Sequence, residues 1–274
     1  MAIIANEDRN RYFETIKPYK SAIYSMLKNE DNERRLLKKE KSGTGLRRLI
    51  LAEEMVSLAA NYIILNGISQ SMLNIRNEEF LNEGRKSIYK AIIYLEEVVS
   101  PLVDAPFSEY ADRLAEIDTI DTQKRYMLIK KMGLALQLLK NAYGDKTKWK
   151  WIFVELEGRF AVVAKNIINL KSALANKDPL SWDYEPTMYH LRLIKKLFLR
   201  AADRYREKYE LSTGRTDDFK MGIQFLYALR RIHSLLGERE AAEMLKKKAD
   251  TWESKLEMDR KKQEEAALKR ILSG

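Results

Sequence analysis

Only five prolines interrupt 274 residues, and one pair of them, Pro101 and Pro106, brackets the clearest turn in the first half of the chain. Between breaks, apolar residues recur every three or four positions, the period of one helix face, and strand-like alternation over five or more residues is scarce. Eleven glycines add little punctuation, and a β protein of this length needs far more turns. The chain is therefore expected to be all-α. Its architecture reads as a multi-helix bundle or short α-solenoid of antiparallel helical hairpins, with a long C-terminal helix.

Cysteine is absent, which removes disulfides, thiolate zinc sites and cysteine-ligated iron–sulfur clusters. The opening residues "MAIIANEDRN" have neither the basic start nor the apolar length of a signal peptide. The most apolar stretch, 49–65, carries Glu53, Glu54 and Asn61, so it reads as a buried central helix rather than a membrane span. A soluble, cytoplasmic chain without membrane insertion is the expectation; a mature secreted chain stripped of its signal would read the same. Net charge is +10 and uneven: residues 146–215 carry 15 basic against 8 acidic side chains, and 50–145 carry 10 against 14. Such asymmetry points to a protein partner with an acidic surface, to self-association between unlike regions, or to nucleic acid.

Breaks at Gly, Pro and Asn/Asp clusters divide the chain into successive helices. They are expected over 7–41 with Pro18 allowing a break, over 46–66 ended by Asn66-Gly67, and over 69–99. Further helices are expected over 107–116, 121–143, 147–176, 187–211, 217–236 and 239–272, with "LSWDYEP" irregular and Gly237 as the last hinge. The proline pair suggests an N-terminal bundle over 1–100 and a C-terminal array over 107–274, or one continuous domain.

In "LRRIHSLLGEREAAEMLKKKA" (229–249), Leu229, Gly237, Ala242 and Ala249 take the packing and turn positions of a tight helix pair. Over about residues 217–250 this resembles a tetratricopeptide hairpin. It departs from that family at Arg230, His233, Lys246 and Ser254, and no second copy follows at a 34-residue period. The resemblance implies a helical scaffold that binds another protein.

No set of residues converges on a catalytic, cofactor or metal site. In "KSGTG" the lysine and serine, Lys41 and Ser42, precede the glycines, the reverse of a phosphate-binding loop, and Arg48 stands where a dinucleotide fingerprint needs glycine. A helix break is the simplest reading, with anion binding at a helix N-terminus as a lesser alternative. The two histidines, His190 and His233, lie in different helices without metal-ligand spacing. Glu53 or Glu54 is the place to look for a buried carboxylate, against the plainer reading of a solvated edge.

Two basic features and the chain's last helix are the candidate partner sites. Arg192, Lys196, Arg200 and Arg204 recur every fourth residue opposite an apolar face of Leu191, Ile194, Phe198, Ala202, Tyr205 and Tyr209. They form a stripe about 18 Å long at the helical rise. An acidic helix or a phosphate backbone could follow it, or it is a solvated face that Asp203 and Glu207 partly neutralise. Lys146, Lys148 and Lys150 interleave with Trp149 and Trp151, which suits base stacking; insertion of one tryptophan into the core with Phe153 and Val154 is the commoner use. Ala242, Leu245, Ala249, Trp252 and Leu256 form a 3-4 seam that lapses at 259–265 before Leu268 and Ile271 resume it. Trp252, Leu256, Leu268 and Ile271 are thus candidates for partner docking, or for packing back onto the bundle. The expected function is a non-catalytic scaffold or adaptor without a cofactor; the alternative is a nucleic-acid-associated protein using the basic 146–215 segment.

Overall fold

The computed structural model describes residues 6–40, 42–144 and 147–272. Every regular element among them is helical. The helices are α1 (Asn6–Leu37), α2 (Gly45–Leu73), α3 (Glu78–Val98), α4 (Ala111–Ala115), α5 (Thr122–Tyr143), α6 (Lys150–Asn166), α7 (Leu170–Ala175), α8 (Tyr184–Lys208), α9 (Thr216–Leu235) and α10 (Arg239–Leu272). They fall into two compact units. The first holds the described residues of 1–101, 106–150 and 166–169; the second holds those of 102–105, 151–165 and 170–272. The division differs from the one drawn at the prolines, because α4 and α5 pack with the first unit.

In the first unit, α2 and α3 form the core. Leu51, Ala52, Met55, Leu58 and Ala59 face Leu81, Ile88, Ala91, Ile92 and Leu95, all of them essentially without solvent exposure. Gly84 sits where a side chain would press on Leu139 of α5 at 3.3 Å and on Tyr62 at 3.5 Å, so a glycine lets three helices close on one another. Among the described residues, α2 is the one helix long and apolar enough to cross a membrane, and its apolar side chains make this core.

Helix α1 joins along a single seam. Tyr12, Ile16, Ile23, Glu30 and Leu37 are buried, with Tyr19, Met26 and Glu33 half-buried between them, giving alternate spacings of four and three. Glu30 is the polar member. Its carboxylate accepts from Lys90 Nζ and Tyr94 OH, both at 2.8 Å, and this burial and hydrogen bond push the Tyr94 hydroxyl's pKa up.

The break that Pro18 allows and the one expected at Asn66-Gly67 are both absent. Pro18 lies inside α1 on an exposed turn, where water can solvate the carbonyl it leaves unbonded. Asn66-Gly67 does not end α2. Asn66 is buried and its Oδ1 accepts from Asn77 N–H at 2.8 Å, while Gly67 has open space around it. The helix ends at Asn74, in the left-handed region (φ 53°), and Asn77 then caps α3 by accepting from Phe80 N–H at 3.0 Å. The 147–176 helix breaks after Asn166, whose amide donates to the Ser100 carbonyl at 2.7 Å.

The second unit has an aromatic core. Phe198 meets Phe225 edge-on at 5.2 Å, Tyr205 stacks on Phe225 and Tyr209 on Phe219 at 4.8 Å, and Phe219 meets Trp252 at a tilt of 41° and 5.6 Å. Two glycines make room for it. A Cβ on Gly158 would lie 2.7 Å from the Tyr205 ring, and one on Gly222 would lie 3.0 Å from the Ala202 carbonyl of α8. Gly237, at φ +79°, turns α9 into α10.

Candidate interaction surface

Helix α8 buries Thr187, His190, Leu191, Ile194, Phe198, Ala201, Ala202 and Tyr205 against its unit. Its opposite face exposes Glu185, Tyr189, Arg192, Lys196, Leu199 and Asp203, at spacings of four and three. Tyr189 is 47% exposed and Leu199 39%; the Arg192 guanidinium lies 5.9 Å from the Tyr189 ring. Arg192 and Lys196 have no carboxylate partner among the described residues.

The stripe continues into the loop before α8. There Leu180 is 93% exposed and Trp182 98%. The loop is braced rather than slack. Asp178 accepts Leu180 N–H on its side chain and Ser181 N–H on its carbonyl, each at 2.9 Å. Ser181 Oγ bonds Asn176 Oδ1 at 3.1 Å, Tyr184 N–H reaches the Ser181 carbonyl, and Lys177 Nζ holds the Leu236 carbonyl at 2.8 Å. Pro179 and Pro186 fix two more backbone angles, and Pro186 falls in the first helical turn, where its missing N–H leaves no gap. A tryptophan is thereby held in water by a defined loop.

The other half of the basic stripe turns inward. Arg200 lies 3.0 Å from Glu157 Oε1 and Arg204 3.7 Å from Glu157 Oε2, on α6; Arg204 also pairs with Glu207. Glu157 is buried, so Arg200 and Arg204 neutralise an internal charge and are not part of a free basic face. Lys148 and Lys150 belong to the first unit, and Lys146 lies outside the described residues. Trp149 has the Arg85 guanidinium 4.6 Å and the Lys148 ammonium 5.2 Å from its ring centre, so its faces are occupied. Neither Trp149 nor Trp151 enters the core; Phe153 and Val154 do. In α10, Trp252 is a core residue, 3% exposed, with Arg206 and Lys248 over its ring, and not a docking residue. Leu256 is half-buried; Leu268 and Ile271 lie on the helix, but their side chains are outside the described residues.

The glycine turn does seat an anion, and the anion is internal. Gly43 N–H and Gly45 N–H donate to the two oxygens of Glu116 at 3.2 and 2.6 Å. Lys41 is outside the described residues. Glu53 and Glu54 are half-exposed, bonded to Lys131 and Asn29; among the described residues the buried carboxylates are Glu30, Glu157 and Asp218. His190 is fully buried with Nε2 2.8 Å from the Ala164 carbonyl, and His233 Nδ1 lies 2.5 Å from Glu238. Lys165, buried with its ammonium 3.2 Å from the Val103 carbonyl, is lowered by that burial to about 8, with Asp104 pulling the other way. No three His, Asp or Glu residues among those described converge as metal ligands.

Sequence reasoning did not single out Leu180 and Trp182. The available signal was a tryptophan in a loop flanked by prolines, outside any helical pattern that could bury it. Against known proteins, a family model described as the TP0443 family matches residues 8–260. No curated protein and no solved structure matches the chain.

Proposed function

The chain belongs to the TP0443 family, and we propose that it is a non-catalytic helical adaptor whose second unit docks an acidic amphipathic helix of a partner protein. The observation that carries this reading is Trp182, 98% exposed on a braced loop at the head of the α8 stripe. A tryptophan holds about 150–250 Å² of surface that water solvates poorly, and it is one of the residue types enriched among interface anchors. The loop fixes it before binding, which lowers the entropy lost on docking. Behind it, Tyr189, Arg192, Lys196 and Leu199 repeat at the period of a helix surface, which suits a helical ligand read at every third or fourth residue. Arg192 and Lys196 set the ligand's sign as acidic. The tetratricopeptide resemblance of the α9–α10 hairpin supports the same class of function.

The test is photo-crosslinking in the native cell, with the photoreactive residue placed at position 182, 189 or 196 of the full chain. The expected result is one protein, crosslinked through a single acidic helical segment and lost in an Arg192→Glu/Lys196→Glu variant. Crosslinks no stronger than from position 17 on α1, or crosslinks to nucleic acid, would overturn the reading.

A further inference from the structure

A second feature, independent of α8, lies in the first unit. The C-terminal end of α1, the first turn of α2 and the last turns of α3 enclose a cleft of about 420 Å³. Four cations line it: Arg34 on α1, Lys38 in the turn just after it, Arg48 on α2 and Lys90 on α3. Among the described residues two carboxylates line it, and each is committed. Glu30, buried at its seam position, holds Lys90 and Tyr94; Glu97 lies 2.8 Å from the Arg48 Nε. Arg48 is fixed a second time by Thr44 Oγ1 at 2.6 Å. Arg34 shares Asp31 with Arg35, at 3.4 Å against 2.5 Å, and Lys38 has no carboxylate partner among the described residues. The cleft therefore carries two positive charges more than its own walls neutralise.

That surplus matches a dianion. Arg48 is positioned by two side chains, with Glu97 beside its Nε and Thr44 accepting from its Nη1, which leaves Nη2 to donate a charge-assisted hydrogen bond to a phosphate oxygen. Leu37 and Ile93 form the apolar part of the wall, and the volume exceeds what a bare oxyanion fills. The neighbouring glycine turn does not compete for the ligand, because Glu116 already occupies its amides. We propose that this cleft binds a small organic phosphomonoester, with the phosphate between Arg34, Lys38 and Arg48 and the organic group against Leu37 and Ile93. Lys90 and Tyr94, held by Glu30, form its floor.

Isothermal titration of the full chain with phenyl phosphate, and with benzenesulfonate as a monoanion of similar shape, tests this. Phenyl phosphate should bind saturably at one site and more tightly than the sulfonate. An Arg34→Gln/Lys38→Gln variant, altering two exposed side chains, should weaken it by about tenfold or more, the loss of charge-assisted contacts. Lys17→Gln/Lys20→Gln, the same charge loss farther up α1, should leave it unchanged. Equal weakening in both variants would mean that the net charge of a basic chain is at work, and would overturn the site. Non-saturable binding, or equal affinity for the sulfonate, would do the same.

Discussion

Trp182 and Trp252 are the same side chain in the same unit, one 98% exposed and the other 3%. Trp252 closes the aromatic stack against Phe219, and a Cβ added to Gly222 would lie 3.4 Å from its ring. Trp182 touches nothing comparable and is instead positioned by hydrogen bonds in its own loop. The two ends of α8 repeat the contrast. Arg192 and Lys196 face water, whereas Arg200 and Arg204 meet the buried Glu157. Identical residue types at regular spacing thus serve two purposes, and only the residue brought opposite decides which.

The contrast breaks most directly at the tryptophans. Trp252→Ala should cost about 3–5 kcal/mol of stability, the usual loss for a buried aromatic. Trp182→Ala should stay within about 0.5 kcal/mol and lose the partner instead. Chemical denaturation of both variants measures this, and equal destabilisation would erase the distinction. Overpacking comes next. Gly158→Ala drives a methyl against the Tyr205 ring and should cost about 1–3 kcal/mol. Gly45→Ala, 2.9 Å from Glu116 Cβ, should act similarly in the first unit, read as a lower melting midpoint.

A smaller effect separates the arginines. Arg200→Gln/Arg204→Gln removes two cations from a buried carboxylate. Because Arg200 is partly solvated, the cost should be about 1–2 kcal/mol. Arg192→Gln/Lys196→Gln should leave the melting curve in place and weaken partner binding, more so at low salt.

An effect that shows only with pH comes from Lys165, a buried cation. Its pKa is lowered to about 8 from an ordinary value near 10.5. Below pH 8 the folded state holds an unfavourable charge, and between pH 8 and 10.5 the unfolded chain binds more protons. Stability should therefore rise over that window, by up to about 3 kcal/mol. Lys165→Met should flatten the rise in a series of melting curves.

Periodicity made the helices legible, along with the α9–α10 hairpin at Gly237 and the Ala242-to-Trp252 seam. It also found the stripe on α8. It could not find Glu157, which lies on another helix and takes two of the stripe's four charges. Nor could it know that Asn66 would spend its side chain on Asn77, which lets α2 run on through a dipeptide that ordinarily ends helices. Glu116 is a similar case: the glycine turn shows that amides are available for an anion, but not that a glutamate 71 residues on from Gly45 supplies it. In each instance the local signal was real and a distant polar partner set its use. Trp182 is the opposite case, a residue whose meaning is that no partner arrives within the described chain.

The most direct test of the account takes the acidic segment identified by crosslinking, as a synthetic peptide, and titrates it against the wild-type chain and three variants. Trp182→Ala and Arg192→Glu/Lys196→Glu should each weaken binding by about tenfold or more with unchanged melting midpoints. Arg200→Gln/Arg204→Gln should lower the midpoint and leave the affinity of the folded protein intact. Unchanged affinity in the first two variants would contradict the assignment of the solvated end of α8 as the docking surface.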